Sequence, residues 1–202
     1  MKHTILITIL AFSFLTCKAQ SPIISIDSLG IHNIENAYYK DLNNDLNPFE
    51  GTWLYTNGNT SLKIILEKKI MFNNGDYYED LMVGGYQYIE NGVEKINTLS
   101  DVNHPSLGYH ASIKGNTILD SCYYLPTDDC VESEKRLSLS IEDTFTNDHY
   151  GSLILHKRTI NGQEALNVRI EFRYYKATVT EDEIIPDPTM PWQMNNIIMI
   201  KQ

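Results

Sequence analysis

The sequence has no run of basic residues longer than Lys68-Lys69 or Lys157-Arg158. Its 16 Lys and Arg stand against 26 Asp and Glu, for a formal charge of −10. Nucleic acid and anionic membrane surfaces both reward basic patches, so neither is the expected partner. The acidity is spread out, with one denser group at Glu181-Asp182-Glu183, and reads as a solvated surface. Catalytic signatures are also missing: there is no H-E-x-x-H, no G-x-S-x-G and no P-loop. The histidines (His3, His32, His104, His110, His149 and His156) read as satisfied or solvent-facing side chains. Asp41, Asn43 and Asp45 alternate like the start of a calcium loop. The sixth and twelfth places hold Leu46 and Thr52, where an EF-hand needs Gly and Glu, so these carboxylates read as surface and capping groups. No enzyme, no cofactor and no metal site is expected.

Long hydrophobic runs are absent too. The longest, Ile5–Leu15, is too short to span a bilayer. With Lys2 ahead of it, it reads as the apolar region of a signal peptide over residues 1–19. Two cuts compete. Cys17-Lys18-Ala19 suits ordinary signal peptidase after Ala19, and Phe14-Leu15-Thr16-Cys17 resembles a lipobox that would make Cys17 the lipidated first residue. Either exports the chain to the periplasm or beyond, or leaves it membrane-anchored as a lipoprotein. Only a lipid on Cys17 would tie it to a membrane.

Cysteine is scarce, at three residues. Once Cys17 is removed or acylated, Cys122 and Cys130 remain, bracketing a segment whose Pro126 and two Asp favour a turn. In an oxidising compartment a disulfide is the expected state. A metal site joining these cysteines to His104 or His110 would lack any C-x-x-C or H-x-x-x-H spacing.

What is present is β pattern. At 202 residues, 42% of them hydrophobic and 21% charged, the chain suits one globular domain behind a leader. Residues 20–48 form a lead-in, with a short strand around Ile23–Ile26. A short helix is expected over Ile34–Leu46, where Ile34, Tyr38, Leu42 and Leu46 recur every four residues. From Phe49 to the end, Asn-Gly pairs at 57–58, 74–75, 91–92 and 161–162 punctuate alternating apolar runs, as hairpin turns do. The strands expected are about Glu50–Thr56, Thr60–Phe72, Tyr77–Glu90, Val93–Leu99, Arg136–Glu142, Tyr150–Thr159, Glu164–Tyr174 and Asn196–Ile200. A short hairpin of His110–Ile113 and Thr117–Leu119 about Gly115-Asn116 is added to these. Gly84-Gly85 reads as a bulge or bend. Leu137, Leu139 and Ile141 share one face of their strand, as do Leu166, Val168, Ile170 and Phe172 of theirs. With Leu62, Ile64 and Leu66 they form the expected inward set.

A meander with one apolar face removes its open edges by curling until its last strand meets its first. The expected fold is therefore all-β: an antiparallel up-and-down barrel of about eight or nine strands over residues 49–202, behind a short helical lead-in. A two-sheet sandwich is the alternative.

Gly51-Thr52-Trp53 resembles the G-x-W first-strand motif of lipocalins, fatty-acid-binding proteins and avidins. That resemblance implies that Trp53 packs at the closed end of the barrel against a cation, with Arg169, Arg173 and Lys201 as candidates. The tight turn at Asn57-Gly58 is closer to avidins, but two tryptophans, Trp53 and Trp192, do not make a biotin pocket. More of the chain resembles small exported bacterial proteins grouped as a domain of unknown function. That likeness runs through the leader ending Cys17-Lys18-Ala19-Gln20, Ala37–Asp41, Gly51–Thr60, Tyr77–Leu81, Tyr86–Gly92 and Glu94–Leu99. It implies export and a β-rich lipocalin-like domain, with no activity to transfer.

Two functions follow. One is a barrel holding a small hydrophobic molecule. The other is a filled barrel that contacts another envelope protein. An interior cavity of about 300 Å³ or more separates them. The Tyr-Tyr pairs at 38–39, 77–78, 123–124 and 174–175 suggest ring stacking, but each is expected to put one ring inside and one outside.

Overall fold

The computed structural model describes residues 21–27, 34–103, 108–123, 129–146, 149–175 and 185–202. The expected leader, Cys17, His3, His32 and His104 lie outside them. Among the described residues, two short strands lead in, β1 (Ile23–Ser25) and β2 (Tyr38–Lys40). The meander follows with β3 (Gly51–Asn57), β4 (Thr60–Asn73), β5 (Tyr78–Glu90), β6 (Val93–Asn97), β7 (Ile113–Leu119), β8 (Arg136–Asp143), β9 (His149–Ile160), β10 (Gln163–Tyr174) and β11 (Gln193–Lys201). The order β5-β4-β3-β11-β10-β9-β8-β7 returns to β5. Eight antiparallel strands thus close a barrel, and the sandwich is not formed.

The expected N-terminal helix is not seen. Its four-residue period is not a buried face, because Ile34 and Leu42 are exposed, whereas the consecutive residues Ala37, Tyr38 and Tyr39 are buried. Asn36 (φ 59°) and Asn44 (φ 58°) sit in the left-handed region and interrupt any helix there. Tyr38 and Tyr39 instead pair in parallel with β1 and with β5. Asp41 does cap, accepting from the Asp45 and Leu46 amides at 2.8 and 3.0 Å, but it is buried and ion-paired to Lys68 at 2.8 Å. Burial pushes its carboxyl up, yet Lys68 and the two amides outweigh that and hold it below the usual carboxylate range.

All four Asn-Gly pairs lie in hairpin turns as expected, with differences in frame; Asn74-Gly75 sits in the four-residue β4–β5 connection between Asn73 and Tyr78. Asn91-Gly92 and Asn161-Gly162 are the central pairs of two-residue turns with both φ positive, the type I′ signature. In the β3–β4 turn Asn57 pairs with Thr60, so the centre is Gly58-Asn59.

Two expectations about glycine fail: Gly115 serves a register shift in place of the expected turn, and Gly85 a close approach in place of the expected bulge. Gly115-Asn116 does not turn a hairpin. It lies inside β7, where the register to β8 shifts between Lys114 and Thr117, and His110 sits in a separate 3-10 turn. Gly84-Gly85 does not bulge, since β4–β5 pairing runs unbroken through both. A Cβ on Gly85 would instead lie 2.1 Å from the Thr98 carbonyl oxygen, where the chain after β6 crosses the sheet.

The edge of β5 away from β4 takes three partners in turn. These are β2 at Tyr78 and Glu79, β7 at 82–84, and β6 from Gln87 to Glu90. Strand β6 therefore lies off the ring.

All ten residues of the expected inward set belong to the main core cluster. Trp53, Tyr39, Phe49, Leu46, Met82 and Tyr86 join them with almost no exposure. The interior of the wall is thus lined by large side chains in mutual contact.

Candidate functional site: the barrel ends and an outer groove

The closed end is built on the G-x-W segment. Trp53 is fully buried and donates its indole N–H to the Phe49 carbonyl at 2.9 Å, tying strand β3 to the 3-10 turn Asn47–Phe49. Lys201, paired with Trp53 across β3–β11, carries its ammonium 5.4 Å from the indole ring centroid, and Lys157 carries its own at 4.8 Å. Gly51 makes room for this: a Cβ there would sit 3.0 Å from Lys201 Cε. Glu164 accepts from both lysines, at 2.6 and 2.7 Å. The Lys157 hydrogen bond first, and the Lys201 one next, hold its carboxyl down at about 2. Of the three cations expected near Trp53, Lys201 is there. Arg169 and Arg173 point elsewhere and pair with Glu171.

The opposite end, the mouth, is covered by the segment before β11. Met190 is buried in the core cluster. The neighbouring Thr189 donates its amide and its hydroxyl to Asp143 Oδ2 at 2.6 and 2.7 Å, fastening the segment to the end of β8. Beside it, buried His149 packs against Trp192 (4.9 Å between ring centroids) and Tyr174 (5.3 Å). Its Nδ1 meets Thr146 Oγ1 at 2.7 Å, and its Nε2 has no hydrogen-bond partner among the described residues. An adjoining space of about 40 Å³ suits a single water.

On the outer wall near this end lies a groove of about 670 Å³, lined by Tyr150, Gly151, Ser152, Glu171, Arg173 and Tyr175. Strand pairing explains the set. Leu153 and Leu155 of β9 face the core, so alternation turns Tyr150 and Ser152 outward. Across β9–β10, Tyr150 stands opposite Arg173 and Ser152 opposite Glu171. Tyr175, two residues past Arg173 on the same face, falls diagonal to Tyr150. Both tyrosines are solvent-exposed, Tyr175 at 75% and Tyr150 at 46%. Arg173 is 3.5 Å from Glu171, a loose pair that leaves its guanidinium open to solvent.

Cys122 and Cys130 form the expected disulfide, with Cα atoms 5.8 Å apart. The described residues on either side of the bridge are fastened to the outer wall near the closed end. Arg158 donates to Asp129 at 2.8 Å and to Glu134 at 2.5 Å, and Arg136 donates to the Ser121 carbonyl at 2.6 Å. Beneath it, His156 is fully buried, its Nε2 2.7 Å from Glu134 Oε2 but out of line for a hydrogen bond. No cluster of three or more His, Cys, Asp or Glu able to hold a metal occurs among the described residues.

A model of a family described as "Family of unknown function (DUF6705)" matches residues 1–202. The chain belongs to DUF6705. Searches of curated proteins and of solved structures return no match.

In this DUF6705 chain, sequence reading pointed to the closed end and the disulfide but passed over the groove. Its lining residues carry no motif and are distant in sequence. The signal available was the polar face of Glu164–Tyr174 beside the Tyr174-Tyr175 pair, and that pair does divide as expected, with Tyr174 against His149 and Tyr175 exposed. The first pair does not divide: Tyr38 and Tyr39 are both buried, and Tyr38 donates to Asp80 at 2.6 Å. Lys157, the cation nearest Trp53, was also missed.

Proposed function

We propose that this protein is an exported, non-enzymatic binding module whose barrel interior is a packed core and whose recognition surface is the outer groove. The observation that carries the reading is the location of the open space. The side chains that would line an interior pocket are large, buried and in one cluster. Among the described residues, two spaces of ligand size open at the surface: the groove of about 670 Å³, whose lining shares no residue with that cluster, and one of about 290 Å³ between Glu90 and the Asp187–Trp192 segment, where Met190 of the cluster forms part of the wall. The groove is within the range of roughly 300–1,000 Å³ that small ligands occupy. Export rests on the leader and is supported by the Cys122–Cys130 bridge, a bond favoured outside the cytoplasm.

Native mass spectrometry of the protein from its own host tests this. The expected species starts at Gln20, or at an acylated Cys17, and carries a bound molecule that is lost in Ser152→Trp, which fills the groove. An unprocessed Met1 start would refute export. A bound molecule retained in Ser152→Trp would move the site into the barrel and overturn the reading, as would an apo mass throughout.

A further inference from the structure

We infer that the groove between Tyr150 and Tyr175 takes a neutral sugar ring of a short oligosaccharide. The inference rests on the groove being the recognition surface and adds the chemistry of its ligand.

The lining excludes other classes in turn. An acyl chain would suit the apolar part of the lining, but it would cover Ser152 and the Glu171–Arg173 pair without offering them hydrogen bonds, and desolvating polar groups without new partners is costly. An anion would meet Glu171 as well as Arg173, so the two charges lining the groove favour a ligand with no net charge. A flat aromatic would stack on tyrosine but leave the carboxylate and guanidinium unused. An extended peptide adding as a strand needs a free edge, and at the groove β9 is paired on both sides, as is β10 as far as Phe172.

A pyranose fits each requirement. Its C–H face is apolar and stacks on a tyrosine ring, while its equatorial hydroxyls both donate and accept. Tyr150 and Tyr175 supply two rings on a diagonal. Between them Glu171 accepts, Arg173 donates through a fork suited to adjacent hydroxyls, and Ser152 does either.

The test is an amide NMR titration of the mature chain with maltotriose, cellotriose, xylotriose and chitotriose. One of them is expected to shift the Gly151, Ser152 and Arg173 amides saturably, with a Kd on the order of 1 mM. Tyr175→Ala should weaken binding by about tenfold or more, as loss of a stacking ring does, and Tyr175→Phe should preserve it. The melting temperature should be unchanged in both, because the ring is exposed. Groove amides that stay still with all four sugars would overturn the sugar, as would Tyr175→Ala binding like the parent. If the host-derived ligand is nonetheless displaced by Ser152→Trp, the groove stands and only its assignment to sugar falls.

Discussion

Glu164 links two cations over one indole. Lys157 and Lys201 would repel each other across Trp53, and the carboxylate between them makes the pair compatible. The consequence is a dependence on acid. The Glu164 carboxyl titrates at about 2 in the fold against an ordinary 4.5. A carboxyl depressed by folding stabilises above its unfolded pKa and loses that contribution as pH falls through its folded one. Unfolding followed from pH 6 downward should therefore show stability declining from about 4.5 toward 2. Glu164→Gln should remove part of that slope. Because Glu164 is half exposed, salt should weaken the effect. An identical acid profile in Glu164→Gln would mean the clamp contributes nothing.

At the scale of the element, β5 shows how a strand can be crowded without bulging. The chain after β6 runs over Gly85 so closely that any side chain would collide with backbone, which cannot rotate away. Gly85→Ala should destabilise by about 2 kcal/mol or more, at the upper end of common single substitutions, read as a lower urea midpoint. A midpoint within error of the parent would show that the crossing is loose. Much of this scale was legible beforehand. Period-2 alternation found the inward faces of β4, β8 and β10 because each has one wet side, and Asn-Gly marked the hairpins because φ > 0 is demanded there. In the lead-in the strand at Ile23–Ser25 was legible, whereas β2 was not, because a parallel strand of three residues is specified by its partners, β1 and β5, and not by its own period. Gly84-Gly85 was ambiguous because glycine marks a bulge and a close crossing alike. The groove was illegible because it is assembled across a register that only the folded β9–β10 pair defines.

For the whole molecule, the disulfide lies outside the ring closure. The strand pairings that close the barrel do not pass through it. Cys122→Ser with Cys130→Ser should cost about 2–3 kcal/mol, the loop-closure entropy of so short a loop, and leave the β circular dichroism unchanged. Loss of the β signal would show that the ring depends on the bridge. The ring itself has a polarity. Strand β2 pairs with the closed-end start of β5, and the last residue, Gln202, donates its amide to Thr52 beside Trp53. Strand β2 and Gln202 thus both lie at the closed end, while Tyr150 and Tyr175 sit toward the mouth. A support attached through Gln202 will hold the molecule by its base and leave the groove facing away from whatever carries it.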